Sequence, residues 1–366
     1  MKIVIIKETR RAENRVALTP QVAQQLIKVG HEIMLESQAG YASNFSDEAY
    51  EKVGCSVVDK SQALPLADIV VKVNAPDASE IALMKEGAAL ISYLYAAFNP
   101  ELVQQLNAKK LSAFGMDAIP RISRAQNMDA LSSQANLAGY KAVILGAANM
   151  GKIFPLLMTA AGTVTPARVL IYGAGVAGLQ AVATAKRLGA IVEVSDVRPE
   201  TKEQVESLGG KFIEVKSDEA AKVEGGYAKE VSAEYLAKQK EAVNKSLFMA
   251  DLVITTALVM GKKAPVLITE EQVKQMKLGS VIVDMAVEQG GNCELSESDK
   301  TVVKHGVQII GPANLPATLP QNASELYAKN IQNLLNHLAT KDAFKWELEE
   351  EITKGTLICH DGRILK

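Results

Sequence analysis

Cysteine and tryptophan are scarce in this chain, whose 366 residues include three of the first and one of the second. Cys55, Cys293 and Cys359 lie far apart, with no C-x-x-C or metal-ligand spacing. That excludes a disulfide scaffold and a thiolate metal centre, and it fits a reducing, cytoplasmic setting. His31, His305, His337 and His360 are equally scattered; each reads as structural, and no metal is expected. Charge of one sign is also lacking: 40 basic against 42 acidic side chains leave a net charge of −2, so nothing favours a nucleic-acid partner. The N-terminus, Met1-Lys-Ile-Val-Ile-Ile-Lys-Glu8, has no long apolar core or small-residue cleavage site of a signal peptide. Long hydrophobic runs are missing too. The most apolar stretch, Leu137 to Ala161, is interrupted by Lys141, Asn149, Lys152 and Pro155, and falls short of the roughly 18 apolar residues of a membrane span. It reads as part of a buried helix, from about Ser133 to Ala161, that crosses between two domains.

What is present centres on Val169-Leu-Ile-Tyr-Gly173-Ala-Gly175-Val176-Ala177-Gly178, followed by Ile191-Val-Glu-Val-Ser-Asp196. An apolar run rich in Val and Ile predicts a buried parallel strand, and the glycines then turn the chain into an amphipathic helix ending near Gly189. Gly173 suits the tight turn, Gly175 lets backbone approach a pyrophosphate, and Gly178 lets the helix pack closely on its strand. The phosphates are expected on the helix N-terminus, where unpaired N–H groups and the helix dipole favour negative charge. Asp196, at the end of the next strand, is placed to accept hydrogen bonds from a ribose and to repel a 2′-phosphate, which favours NAD(H) over NADP(H). Arg198, beyond Val197, is the one group nearby able to neutralise that repulsion.

The length suits two domains. Strand candidates at Lys2–Ile6, His31–Leu35, Asp68–Val73, Ala89–Leu94 and Leu111–Phe114, with a helix opened by Thr19-Pro20 and closed at Gly30, make a first α/β unit without a glycine fingerprint. A second set follows at Arg168–Tyr172, Ile191–Ser195, Lys211–Val215, Asp251–Thr255, Val281–Asp284 and Val307–Ile309. The expected architecture is α/β: two Rossmann-like, doubly wound parallel-sheet domains around a cleft, linked by long helices. The first takes residues 1–132 plus about 325–366, and the second 133–324. Between its third and fourth strands the second carries a charged insert, about Lys216 to Lys245, of the length usual for a lid or a disordered loop. A helix is expected over Gln321–Leu338, with the remainder packing back on the first domain.

The densest polar segment is Pro120-Arg121-Ile-Ser-Arg124-Ala-Gln126-Asn127-Met-Asp129-Ala-Leu-Ser132-Ser133, at the junction of the two domains. It reads either as a loop whose Asp129 or Ser132 caps the long helix, or as a ligand-facing loop. This segment, through Tyr140, closely resembles the soluble NAD(H)-binding component of proton-translocating NAD(P) transhydrogenase. So do Gly162-Thr-Val-Thr-Pro-Ala-Arg168, Asp196-Val-Arg-Pro-Glu-Thr-Lys202 and Gly225-Gly226-Tyr227-Ala-Lys-Glu. The resemblance covers essentially the whole chain.

It implies that Arg121, Gln126, Asp129 and Ser132 surround the nicotinamide end of NAD(H): Asp129 and Ser132 orient the carboxamide, Arg121 assists, and Gln126 reaches toward the second nucleotide. It makes the insert the family's mobile loop, with Gly226 and Tyr227 closing over the nucleotide, and Thr256-Ala257-Leu258 a turn bordering it. The implied reaction is direct hydride transfer from NADH held here to NADP⁺ in the NADP(H) site of a partner subunit, coupled to proton movement through a transmembrane subunit. A single fingerprint agrees, since two dinucleotides need a second site. A homodimer, with membrane contact only through partner subunits on the cytoplasmic face, is implied by the resemblance alone. One departure is Val259-Met260-Gly261-Lys262-Lys263, where the family pattern carries prolines.

Alanine dehydrogenase, a relative of the same layout, is the alternative, and there Arg15 would hold a substrate carboxylate or form a structural ion pair. That family's lysine and histidine proton carriers align with Asn74 and Tyr95, which argues against the activity. A silent NAD(H) sensor would explain the fingerprint but not the polar junction loop.

Overall fold

The computed structural model describes residues 1–214, 233–258 and 263–366, with the side chains of 233–237 excepted. Its contacts divide the chain into two compact units, Met1–Gln134 with Pro316–Lys366, and Ala135–Leu315.

In the first unit six parallel strands, β1 (Lys2–Ile5), β2 (Glu32–Glu36), β3 (Ser56–Val58), β4 (Ile69–Val71), β5 (Ala89–Ser92) and β6 (Ser112–Gly115), lie in the order β6-β5-β4-β1-β2-β3. Alternate residues of β1, with Ile6 just beyond it, serve opposite faces: Ile3 and Ile5 enter one core, Val4 and Ile6 the other. Continuous apolar strands buried on both sides are what a parallel sheet covered by helices on each face requires. Thr19 caps the helix Pro20–Lys28 by accepting the Val22 N–H at 3.5 Å, and Gly30 ends the segment at φ +99°.

The helix over Ala130–Asn149 contains the boundary between the units. It is shorter than expected, because the segment to Ala161 is not helical. Past Gly151 and Pro155 the chain forms a hairpin, β7 (Leu157–Thr159) and β8 (Gly162–Val164), with Leu157, Met158 and Val164 exposed. An apolar run there signalled a hairpin and not a buried helix.

The second sheet contains β9 (Arg168–Tyr172), β10 (Ile191–Ser195), β11 (Lys211–Phe212), β12 (Leu252–Thr255), β13 (Val281–Asp284), β14 (Lys300–Lys304) and β15 (Val307–Gly311), in the order β11-β10-β9-β12-β13-β15-β14. Only β14 is antiparallel. Val169 and Ile171 enter one core, Leu170 and Tyr172 the other. The expected 216–245 loop is corrected in part: Ala233–Met249 is a helix, with Leu247 buried, and the rest of the insert lies outside the described residues.

The chain then returns to the first unit through the helix Pro320–Leu338, whose Tyr327, Ile331 and Leu334 are buried. The last strands, β16 (Leu357–His360) and β17 (Arg363–Ile364), extend the first sheet, β16 pairing antiparallel with β6. Among the described residues, no helix is long and apolar enough to cross a membrane.

In both sheets the order reverses beside the first strand of the unit, at β1/β4 and at β9/β12. Such switch points open a crevice beyond the strand ends, where ligands of this fold class bind. Just beyond β4, Lys72 is sealed from solvent with its ammonium 2.6 Å from the buried Glu80 carboxylate. Glu80→Leu strands that charge, and urea unfolding is expected to show a loss of about 3–5 kcal/mol.

Candidate functional site

At the second switch point the chain leaves β9 in a turn that demands glycine twice. Gly173 has φ +96°, and its N–H donates to the Ser195 carbonyl at 2.8 Å, tying the turn to the end of β10. A Cβ on Gly178 would lie 1.8 Å from the Gly173 carbonyl oxygen, so the helix Val176–Arg187 approaches the strand end only without a side chain there. Gly175 differs from both. Its backbone is ordinary, at φ −79°, and a Cβ on it would meet no protein atom within 4 Å. The space above it is open to a ligand. The helix has no side-chain N-cap bond, which leaves its first amides and its dipole facing that space. These residues fit a dinucleotide pyrophosphate.

Asp196 follows β10 with its carboxylate almost fully buried. Oδ2 accepts the Ala174 N–H at 2.6 Å and Arg198 Nη2 at 2.9 Å; Oδ1 accepts the Arg198 N–H at 2.8 Å and Nε at 3.0 Å. Burial pushes the Asp196 carboxyl up, but the Arg198 side chain and the two amides outweigh it and hold the group below its ordinary value. Val197, between the two, is 89% exposed.

The turn after β12 braces the glycines from the other side. Thr256 Oγ1 donates to the Tyr172 carbonyl at 3.0 Å, and its N–H donates to the same oxygen at 2.9 Å. Asn292, fully buried, receives the Ala257 N–H at 3.0 Å and donates to the carbonyls of Ala257 and Pro265, at 2.9 and 2.8 Å. Asp284, also buried, gathers Thr255 Oγ1, Ser296 Oγ and the amides of Ala286, Asn292 and Cys293. Asn292 thereby brackets the turn after β12. Asp284 carried no local sequence signal beyond its place at a strand end. Leu258 is half exposed; residues 259–262, and Gly226 and Tyr227, lie outside the described residues.

The junction loop belongs to the first unit. Asp129 caps the helix that follows, Oδ1 accepting the Ser132 N–H at 2.9 Å and Oδ2 the Ser132 hydroxyl at 2.5 Å. The Asn127 carbonyl accepts from Asn330 and Asn333, and Ser133 donates to Asn330, so the Pro320–Leu338 helix fixes the loop. Arg121 and Gln126 are exposed on it.

At the first switch point the chain's own carboxylates fill the crevice. Glu8 accepts the N–H groups of Val73 (2.7 Å) and Asn74 (3.2 Å) and the Asn74 amide at 3.0 Å. Burial raises its pKa above the ordinary value despite Lys72 and these hydrogen bonds. Glu13 grips Arg15 through two side-chain bonds of 2.8 and 2.7 Å, and the Asn74 amide donates to it at 3.0 Å. Arg15 also donates to Gln134 at 2.9 Å. Of the two readings of Arg15, the ion pair is present, with Glu13, and is buried. Burial pushes the Glu13 carboxyl up, but Arg15 pulls it down to about 2. Tyr95 is exposed and stacked on Tyr93, with φ +46°.

The groove beside β11, lined by Arg168, Glu193, Lys211 and Glu241, touches the opposite end of β9 from Gly173 and mixes both charge signs. No cluster of His, Cys, Asp and Glu suited to a metal occurs among the described residues. The three cysteines are free and buried.

Two doubly wound units, one with an open glycine turn and a buried acid at the next strand end, define a two-domain α/β protein of the nicotinamide-dinucleotide dehydrogenase class. The family model described as "Alanine dehydrogenase/PNT, N-terminal domain" matches residues 4–138, and its C-terminal counterpart matches 142–366. The chain belongs to this alanine dehydrogenase/PNT family. It is 53% identical to an NAD(P) transhydrogenase subunit alpha chain of Rhodospirillum rubrum, over 100% of this chain and 98% of that one. Alanine dehydrogenase of Bacillus subtilis is more distant, at 33% identity over 100% and 92%. The crystal structure of transhydrogenase from Sinorhizobium meliloti superposes with a TM-score of 0.92 at 42% identity, covering 100% of both chains.

The two helix-start glycines separate folding from binding. Gly178→Ala is expected to lower the thermal midpoint sharply, whereas Gly175→Ala costs at most about 1 kcal/mol and acts on ligand affinity instead. Because Glu13 titrates at about 2, below its ordinary 4.5, its stabilising contribution is complete above about pH 4.5 and is lost as pH falls toward 2. The stability gap between wild type and Glu13→Gln in urea titrations should narrow over that window.

Proposed function

We propose that this chain is the NAD(H)-binding component of a proton-translocating NAD(P) transhydrogenase. In this reading it passes hydride to NADP⁺ on a partner subunit, while a transmembrane subunit couples the step to proton movement. The observation that carries the reading is the contrast between the switch points: one open over Gly175, the other filled by Glu8 and Glu13. One dinucleotide site per chain calls for a partner to bring the second. The names of its relatives, subunits of NAD(P) transhydrogenase, support the same conclusion.

In this reading the amides at the start of the Val176–Arg187 helix and the turn of Gly173, Ala174 and Gly175 hold the pyrophosphate. Asp196, Val197 and Arg198 meet the adenosine, and Thr256, Ala257 and Leu258 border the nucleotide on its other side. Asp129 and Ser132, already paired to each other, orient the carboxamide, with Arg121 assisting and Gln126 reaching toward the partner's nucleotide. Bound NADH supplies the hydride, so the protein's task is positioning and exclusion of water. We further read the assembly as a homodimer, held at the cytoplasmic face of the membrane by its partner subunits.

Alanine dehydrogenation fits less well, because the Asn74 amide, held by two carboxylates, carries no proton to exchange with a carbonyl substrate. The test is NADH binding by the purified chain, then hydride transfer to an NADP⁺ analogue with and without an NADP(H)-binding partner domain, with alanine and pyruvate as controls. Partner-dependent transfer is expected, and Gly175→Ala should weaken NADH binding at least about tenfold. Oxidation of alanine without a partner would overturn the reading.

A further inference from the structure

Asp196 is expected to choose between coenzymes, yet none of its lone pairs is idle. An ionised carboxylate offers about four acceptor positions. Here four hydrogen bonds fill them: the backbone N–H groups of Ala174 and Arg198, and Nε and Nη2 of the Arg198 guanidinium. The two amides are fixed by the glycine turn and by the chain itself. Those from the guanidinium are not, since the Arg198 side chain is 51% exposed while that of Asp196 is 4% exposed. A ribose diol that hydrogen-bonds Asp196 takes the positions Arg198 now occupies. Once displaced, the guanidinium stays tethered two residues away, beside the ribose 2′ position.

Charge then decides what Asp196 can reject. Alone, the carboxylate repels a 2′-phosphate; paired with Arg198, the couple has no net charge, and a guanidinium is a bidentate partner for phosphate. We propose that Arg198 is a specificity-determining residue that competes with the ribose diol for Asp196 and softens the rejection of a 2′-phosphate, so that coenzyme choice is set by the pair. The proposal rests on the NAD(H) reading of the glycine turn. It places the discrimination in residues 196 and 198, and leaves the pyrophosphate grip, common to both coenzymes, out of the difference.

The test measures Kd for NADH and for NADPH by titration calorimetry at pH 8, with wild type, Arg198→Ala, Arg198→Lys and Asp196→Asn, after thermal unfolding confirms that each is folded. The readout is the ratio of the NADPH constant to the NADH constant, in which effects on the shared pyrophosphate grip cancel. Arg198→Ala is expected to raise the ratio roughly fivefold or more, because one neighbouring positive charge is lost next to a dianion. Added salt should shrink that rise. Arg198→Lys should restore most of the wild-type ratio, and Asp196→Asn should lower it. An unchanged or lower ratio in Arg198→Ala, with NADH still bound by the wild type, would overturn the proposal alone. Failure of the wild type to bind either coenzyme would overturn it together with the reading it rests on.

Discussion

A single close approach organises the nucleotide-binding unit: the first turn of the Val176–Arg187 helix lies against the end of β9, with room for no atom between Gly178 and the Gly173 carbonyl. Bringing the helix start to the strand end places its unpaired amides at the point where the strand order reverses. The neighbouring contacts serve that placement. Thr256 clamps the Tyr172 carbonyl, Ser195 receives the Gly173 N–H, and Asp196 receives the Ala174 N–H. Asn292 and Asp284 extend the brace by one further layer, each buried and each committed to backbone groups.

The first unit repeats the strand order and reverses its use. Where the second unit leaves helix amides open, the first feeds the corresponding region with carboxylates: Glu8 takes the Val73 and Asn74 amides, and Glu13 takes Arg15 and the Asn74 side chain. Anionic side chains at a switch point repel phosphate and use up the donors that would bind it. Identical topology thus yields one open glycine turn and one switch point occupied by carboxylates, and the difference lies in Glu8 and Glu13 against Gly173 and Gly175.

Most of this architecture is legible in the chain, because parallel strands buried on both faces write themselves as apolar runs, and glycine at a strand end has few other uses. β9, β10 and β13 fall where the runs predict them. Two features were hidden for physical reasons. Leu156, Leu157 and Met158 look like core residues, but all are exposed around a hairpin, and hydrophobicity alone does not separate the two cases. The bracket of Asn292 and Asp284 joins residues far apart in sequence to main-chain atoms, and backbone acceptors leave no residue-type signature. The Asp129–Ser132 cap was readable from helix chemistry; what the loop contributes beyond capping came from resemblance.

The same cluster bears on which chemistry the fold can support. A carbonyl substrate reduced by hydride also needs a proton, and the donor must titrate and reach it. Lys72 is sealed against Glu80, and the Tyr327 hydroxyl donates to its carbonyl at 2.9 Å. The Asn74 side chain donates to Glu8 and Glu13 and accepts from Arg10, and an amide has no proton to transfer to a carbonyl. The cationic and amide groups around that switch point are therefore held by its carboxylates, Lys72 by Glu80, Arg15 by Glu13 and Asn74 by Glu8 and Glu13. A hydride passed between two nicotinamides requires no proton from the protein, so an amide at position 74 costs the proposed reaction nothing.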